Sequence, residues 1–228
     1  MYTKFKIPLL TLAAASIATM TVLTFPACQQ EEDIAPPTIS LLGDNPHYMD
    51  LNSDYIEPGF SVTDQEDGAI SNDRVAVSSN VDKDVAGTYT VTYSVTDNAG
   101  NTGVTDRSVI VRNSAEFLAG EYNGAVNACQ APPNSVYDAT IAISNTQNGK
   151  FTITNFGGFG NTVVLECSYD KSNNEITAVT GQSLGGTKVL ESLNIASVTN
   201  HSSPVEFFIN YNWRDGVVGD VCNATFSR

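Results

Sequence analysis

The run TYTVTYSVT, residues 88–96, decides the fold of the first half of this chain. Its large apolar residues stand at every second position: Tyr89, Val91, Tyr93 and Val95. This period of two predicts a half-buried β-strand. The turn DNAGN (97–101) and a second apolar run, Val104 to Val111, follow it. Together they predict a β-hairpin whose turn is closed by Asp97 and Asn98, because Asx side chains bond their own backbone.

Further strands extend the pattern towards the amino terminus. The strand-like run Thr38–Leu42 comes directly after two prolines and ends at the turn signal GDNP (43–46). No stretch here has helical spacing, and several short strands at regular intervals are typical of a β-sandwich. We therefore expect an all-β domain over residues 36–112.

Three stretches give this segment a resemblance to a known family: EPGFSVTD (57–64), DG (67–68) and AGTYTVTYSVTDNAGN (86–101). They resemble the immunoglobulin-like (Ig-like) domain of pesticidal crystal proteins and of many bacterial surface proteins. The resemblance implies a seven-stranded sandwich that acts as a spacer or adhesive unit, without catalysis. The acidic loop from Asp64 to Asp67 is either a solvated turn or a calcium site, since calcium takes oxygen ligands.

Residues 115–228 contain a second series of short apolar runs. They include Ala139–Ile143, Phe151–Ile153, Val163–Cys167, Leu193–Ile195, Phe207–Ile209 (or, in the other register, Glu206–Phe208) and Ala224–Phe226. Turn signals separate them, among them Asn148-Gly149, Asn173-Asn174, Gly185-Gly186 and Asp215-Gly216. The pattern predicts an antiparallel meander closed into a small β-barrel, because closure removes unpaired strand edges.

Parts of this second domain resemble the lipocalin-like domains that follow such sandwiches in bacterial lipoproteins. The resemblance lies in FLAGEY (117–122), GGFG (157–160) and CNATF (222–226). It implies about eight strands around either a small ligand or a core of side chains.

The first 33 residues are typical of an exported protein. Lys4 and Lys6 precede an uncharged run, residues 7–25, and Ala27-Cys28 and an acidic stretch follow it. They resemble a bacterial lipoprotein signal, although Phe25 and Pro26 depart from the usual residues. The resemblance implies a signal peptide over 1–27, an acylated Cys28, a tether over 28–35 and surface display on the outer membrane. A transmembrane anchor is the alternative, since the uncharged run is long enough to span a bilayer.

The four cysteines are Cys28, Cys129, Cys167 and Cys222. With Cys28 acylated, three remain in an oxidising compartment where a disulfide is stable. The first and last strands of a closed antiparallel sheet are neighbours, so we expect Cys129 to pair with Cys222. Cys167 lies in an apolar alternation and is predicted to be a buried, reduced core residue. We expect no metal site, because the spacing lacks a C-x-x-C pair.

The charge of the chain narrows the range of its partners. Eleven basic residues face 25 acidic ones, for a net charge of −14. Both basic residues before Cys28 are lysines and no acid precedes it, so a chain starting there carries −16. Such a charge repels phosphate backbones, and we expect no nucleic-acid partner. The expected partners are the membrane, through the lipid anchor, and a glycan or surface protein.

One motif favours an enzyme. GQSLG (181–185) matches the G-x-S-x-G nucleophile elbow, and Glu191 and His201 follow in the order of a catalytic triad. The elbow needs a strand before Ser183 and a helix after it, whereas this neighbourhood is strand-like and glycine-rich. His47 is the other histidine, and no phosphate loop or dinucleotide fingerprint is present. We therefore predict no catalytic residues, no cofactor and no enzymatic activity, with a serine hydrolase as the remote alternative.

Aromatic residues of the second domain are candidates for ligand contacts. Trp213 and Tyr211 are the predicted contacts, since aromatic and glycine-rich loops at one end of a rigid β scaffold commonly bind ligands. A core role is the alternative for both. The sequence thus predicts an Ig-like spacer presenting a barrel that binds glycan, protein or a small apolar molecule. A structural envelope lipoprotein without a specific ligand is the alternative.

Overall fold

A computed structural model describes residues 32–130 and 134–228 of the chain, apart from the side chain of residue 195. The predicted signal peptide and the acylation site Cys28 lie outside the described residues. The described chain is all-β, as predicted, and contains no α-helix. Its helical pieces are three short 3-10 turns, at Asn72–Arg74, Glu116–Leu118 and Phe156–Gly158.

The first domain consists of seven strands in two sheets. One sheet has the order β1-β3-β4, and the other has the order β2-β7-β6-β5. The strands are β1 (Thr38–Leu41), β2 (His47–Asp50), β3 (Phe60–Asp64), β4 (Gly68–Ile70), β5 (Ala76–Ser79), β6 (Gly87–Thr96) and β7 (Thr102–Arg112). This is the expected sandwich, and β6 and β7 form the predicted hairpin with Thr96 opposite Thr102.

The alternating residues of β6 supply the core of this sandwich. Val91, Tyr93 and Val95 are buried, and they pack with residues of both sheets, including Val62 of β3 and Val109 of β7. Asp97 closes the turn after β6 as predicted, since its Oδ1 accepts hydrogen bonds from the backbone N–H groups of residues 100 and 101 at 2.6 and 2.8 Å. The prediction is wrong for Asn98, whose side-chain amide donates to Asp67 at 2.9 Å instead of bonding its own turn.

A buried cation that the sequence pattern does not reveal ties the two sheets together. Arg107, in the middle of β7, is fully buried. Its guanidinium donates to three backbone carbonyls and two side chains: Leu42 O (2.8 Å), Asp44 O (2.8 Å), Gly59 O (3.0 Å), Glu57 Oε1 (3.1 Å) and Tyr93 Oη (3.3 Å). These bonds connect β7 to the loops that precede β2 and β3.

The partner carboxylate, Glu57, is also held by neighbouring hydroxyl groups. Tyr55 donates to its Oε2 at 2.5 Å, and Tyr93 donates to the same oxygen. Burial by itself would raise the pKa of Glu57. The hydrogen bonds from Tyr55, Tyr93 and the Gly59 N–H, together with the charge of Arg107, outweigh burial, so the pKa lies below its usual value. Glu57 is therefore ionised at neutral pH and offsets the charge of Arg107.

The second domain is a closed barrel of eight antiparallel strands. The strands are β8 (Gly120–Cys129), β9 (Ser135–Ile143), β10 (Lys150–Thr154), β11 (Val164–Asp170), β12 (Glu175–Ala178), β13 (Lys188–Asn200), β14 (Glu206–Asp215) and β15 (Val218–Ser227). Each strand pairs with the next along the chain, and β15 pairs with β8 to close the barrel. This is the meander that the sequence predicts, with its turns at the expected glycine and asparagine pairs.

Side chains fill the interior of the barrel. Aromatic residues dominate it, and those that are at most 1% exposed include Tyr122, Phe156, Phe207, Tyr211 and Phe226. The rings of Phe207 and Phe226 stack with centroids 4.4 Å apart. A small ligand inside the barrel would have to displace these side chains.

The alternation of side chains is most disturbed in β13, whereas β8 has a single irregularity, between Tyr122 and Ala125. β13 shifts its register against β14 at three irregularities, between residues 190 and 200. Leu190, Ala196 and Val198 are buried, whereas Leu193 is only half-buried. The predicted run Leu193–Ile195 is therefore part of a strand, but bulges rather than simple alternation decide which of its neighbours enter the core.

The strand directions give the barrel two distinct ends. The end at which β8 starts, near Gly120, also holds the turns 144–149 and 171–174; we call it the proximal end. The end at which β8 finishes, near Cys129, also holds the loops 155–163 and 179–187 and the turn 216–217; we call it the distal end.

The first domain contacts the proximal end through the turn 144–149. Asn52, which has a positive φ of 62°, donates from Nδ2 to Thr146 O at 3.1 Å. Its Oδ1 accepts from the Asn148 N–H at 2.8 Å. Ala86 N–H donates to Asn145 O at 2.8 Å. The contacts are mostly to backbone atoms, so they fix the turn relative to the sandwich.

Asn113, in the short connection between the domains, organises the same turn. Its side chain is buried and makes five hydrogen bonds. Nδ2 donates to the carbonyls of residues 144, 147 and 150 at 2.9, 2.9 and 3.2 Å. Oδ1 accepts from the N–H groups of residues 115 and 149 at 2.9 and 2.8 Å. The connection is therefore an ordered part of the fold.

We expect Arg107→Met to lower the free energy of unfolding of the first domain by about 3 kcal/mol, because it removes the cation beside the Glu57 carboxylate and leaves several carbonyls without their donor. Urea denaturation followed by circular dichroism measures the change. The control is Lys83→Met, which removes an exposed ion pair with Asp54 and should cost less than about 1 kcal/mol. Equal effects of the two substitutions would contradict the role assigned to Arg107.

Candidate functional site

The distal end of the barrel is closed by the 3-10 turn Phe156–Gly158. Phe156 enters the core and packs against the Tyr211 ring, with centroids 4.7 Å apart. The Gly157 carbonyl accepts a hydrogen bond from Asn127 Nδ2 at 3.0 Å, and Asn127 Oδ1 accepts from the Tyr211 hydroxyl at 3.0 Å. The turn is thereby bonded to polar groups inside the barrel and acts as its plug.

Glycine is required in this plug. Gly157 has a φ of +65°, and a Cβ built on it would lie 2.7 Å from both the Phe159 ring and the Tyr211 hydroxyl. The GGFG stretch that the sequence singles out is thus a tight structural turn over the end of the barrel.

The structure places the two predicted aromatic contacts differently. Tyr211 is fully buried, and burial raises the pKa of its hydroxyl. It therefore has no surface open to a ligand in this conformation. Trp213, two residues on, is half-buried at the distal end, where its ring meets the Phe159 ring edge-on at 5.7 Å and Lys188 Nζ lies 5.7 Å above it. Ligand contact by Trp213 stays a prediction.

The three cysteines that the structure describes are arranged as the sequence predicts. Cys129 and Cys222 lie directly opposite each other on β8 and β15 and form a disulfide. The bond joins the first and last strands of the barrel and occupies both thiols, so neither is available to a metal. Cys167 is free and buried, and burial raises the pKa of its thiol. It is therefore a protonated core residue at neutral pH.

The residues of the G-x-S-x-G motif do not form a nucleophile elbow. Ser183 lies on an isolated bridge to Val189, and its Oγ accepts the Gly185 N–H at 3.3 Å. A glycine turn and β13 follow it, where the elbow requires a helix. His201 lies at the proximal end, 3.0 Å from the Tyr169 hydroxyl, whereas Ser183 lies in a distal loop.

The acidic loop of the first domain is ordered by its own backbone. Asp64 Oδ1 accepts the N–H groups of Glu66 and Asp67, each at 2.9 Å. Asp67 in turn accepts the N–H and the side-chain amide of Asn98 at 2.8 and 2.9 Å. These bonds describe a closed turn packed on the β6–β7 hairpin.

The outer surface of the barrel carries a cluster of asparagines that the sequence pattern did not predict. Asn194 of β13 donates from Nδ2 to Asn210 Oδ1 at 3.1 Å and to Asn212 Oδ1 at 2.9 Å, both on β14. Asn223 of β15 is exposed and lies directly opposite Asn210. The signal that could have found the cluster is the N-x-N spacing of residues 210 and 212, which places both on one face of a strand.

The first domain matches a known protein family. Residues 39–111 match the family described as bacterial surface protein, Ig-like domain. In the described residues, a domain that matches this bacterial surface Ig-like family is followed by an eight-stranded barrel. No curated protein matches the chain.

Two solved structures are similar to larger parts of the chain. The lipoprotein BT2262 from Bacteroides thetaiotaomicron is 18% identical over 83% of this chain and 99% of its own, with a TM-score of 0.37. A structure of CBM51-2 in complex with GlcNAc and INT domains from Clostridium perfringens ZmpB is 19% identical over 76% of this chain and 29% of its own, with a TM-score of 0.29. At these TM-scores neither protein identifies the function of this chain.

Trp213 is the only tryptophan of the chain, and its environment predicts a core role. We expect Trp213→Ala to cost about 3 kcal/mol, at the low end for a large aromatic residue because the ring is only half-buried. The melting temperature, followed by circular dichroism, should fall by several degrees, and Trp213→Phe should restore most of the loss. A melting temperature unchanged by Trp213→Ala would contradict the core role and favour a contact surface.

Proposed function

We propose that this chain is a non-enzymatic lipoprotein of the bacterial cell surface, in which the Ig-like domain is a rigid spacer and the barrel is the contact domain. The anchor in this proposal is an acyl group on Cys28. The barrel contacts a glycan or a protein of the surroundings through its outer surface, because its interior is occupied by its own side chains.

The observation that carries the proposal is the position of β7, whose two ends lie next to the incoming chain and next to the connection to the barrel. At the start of this strand, Gly103 lies so close to the incoming chain that a Cβ built on it would be 2.0 Å from Pro37 O. At its end, Arg112 leads directly into Asn113 and the barrel. The 11 residues of β7 span roughly 35 Å. The incoming chain therefore lies at one end of the sandwich and the barrel is attached at the other end. A spacer requires this separation of its two attachment points.

The filled barrel favours a second candidate, a structural envelope lipoprotein without a specific ligand. This candidate differs from the first in that the outer surface of the barrel binds nothing.

Within residues 32–130 and 134–228, no helix combines the length and the hydrophobicity needed to cross a membrane.

We expect the mature protein to begin at Cys28 with added acyl mass, because Ala27-Cys28 follows the apolar run and precedes the acidic stretch that begins at Glu31. The measurement is the intact mass of the protein extracted from membranes of a Gram-negative host. Cys28→Ala should release the protein from the membrane fraction, whereas Cys167→Ala, at a buried unpaired cysteine, should leave attachment unchanged. A chain that retains Met1, or a Cys28→Ala protein that stays attached, would contradict the anchor.

A further inference from the structure

We infer that the outer face of β13, β14, β15 and β8 is a binding site for a neutral carbohydrate chain. The inference rests on the proposed function, in which the barrel is the contact domain. We call this surface the amide face and define it by five outward-facing residues: Asn194, Asn210, Asn212, Asn223 and Phe208.

The strand register brings these residues into adjacent rows. Asn210 of β14 lies opposite Asn223 of β15, and two residues away Phe208 lies opposite Thr225. Thr225 pairs in turn with Val126 of β8, whose side chain is 41% exposed. A row of amides therefore runs beside a row that combines an aromatic ring, a methyl group and an aliphatic side chain.

Hydrogen bonds hold the amides in one orientation. Asn194 donates to the side-chain oxygens of both Asn210 and Asn212, and its own Oδ1 accepts the Ser192 hydroxyl at 3.1 Å. These contacts use the oxygens of Asn210 and Asn212. In the described part of the chain, the two Nδ2 groups have no protein acceptor. Each presents two N–H donors to solvent from a fixed position.

The absence of charge on this face selects the chemistry of the ligand. The chain has 25 acidic residues, yet none of the five residues of the amide face is charged, and β14 carries charge only towards its ends, at Glu206, Arg214 and Asp215. An anionic ligand would need Lys or Arg at the centre, and a cationic one would need a carboxylate. Sugar hydroxyls both donate and accept, which matches amides, and the C–H faces of a sugar ring pack on Phe208 and its apolar neighbours.

A protein partner is less well matched to the same face. Stable protein interfaces depend on buried Trp, Tyr or Arg anchors surrounded by smaller contacts. On the amide face, Phe208 is the one large ring, and it is half-buried. A row of preorganised amides beside a shallow apolar row fits a flexible polyol. The donors are already fixed in position, so they lose little conformational entropy on binding.

The test is native affinity electrophoresis of the full-length chain in detergent, in gels that contain dextran, mannan, laminarin or xyloglucan. Polygalacturonate serves as the anionic control. We expect at least one neutral polysaccharide to retard the protein. The double variant Asn210→Ala/Asn212→Ala should weaken that retardation at least about tenfold, the effect of losing one or two good hydrogen bonds.

Two further variants separate binding from folding. Asn212→Asp keeps the shape of the side chain but replaces its donors with a carboxylate, and it should weaken retardation as strongly. Asn161→Ala removes an exposed amide in a distal loop outside the face and should change nothing. Circular dichroism melting of each variant checks that the fold is retained.

Four results would overturn the assignment of the amide face. They are no retardation of the wild type by any neutral polysaccharide, retardation only by polygalacturonate, wild-type retardation of the double variant, and a dimer in light scattering that Asn212→Asp dissociates. The last result would assign the face to a second copy of the chain. None of these results affects the acylation of Cys28, so failure here is distinguishable from failure of the proposed function.

Discussion

The side-chain amide of Asn113 is the constraint on which the arrangement of this protein depends. It is buried between the two domains, and both of its ends are fully bonded, to three carbonyls and two backbone N–H groups. A buried amide left without these partners would be costly, so the turn 144–149 can adopt few other conformations. Because that turn also holds Asn52 and Ala86 of the sandwich, one side chain links the geometry of the connection to the geometry of the contact.

The barrel likewise depends on a buried polar side chain, which lies inside an aromatic core. Asn127 is buried among rings and bonds both the plug, through Gly157 O, and the Tyr211 hydroxyl. The disulfide between Cys129 and Cys222 secures the strand pair that closes the barrel next to this network. With the interior closed in this way, recognition is left to the outer surface, where the bulged strand β13 brings Asn194 against two amides of β14.

The sequence predicts the parts of the fold that follow from local periodicity. Alternation identified the β6–β7 hairpin and most barrel strands, glycine and asparagine pairs located the turns, and the neighbourhood of first and last strands predicted the disulfide. It did not predict Arg107 or Asn113, because the role of a buried polar residue is set by carbonyls that lie 31 to 65 positions away. In local sequence, Arg107 is one polar residue of a strand and Asn113 falls between the predicted domains.

The candidate site shows the same limit. Residue type predicts Trp213 and Tyr211 as contacts, but it does not reveal that Tyr211 faces inwards. Identifying the amide face requires the register of β13 against β14, which the bulges in β13 make unreadable from the sequence. The most direct test of the rigid spacer is a distance measurement by pulsed electron–electron double resonance. The two spin labels are placed on Ser78→Cys of the sandwich and Val217→Cys of the distal end, in a chain that also carries Cys28→Ala. A rigid spacer gives a single narrow distance distribution that Asn113→Ala broadens. A broad distribution in the chain with Asn113 intact would contradict it.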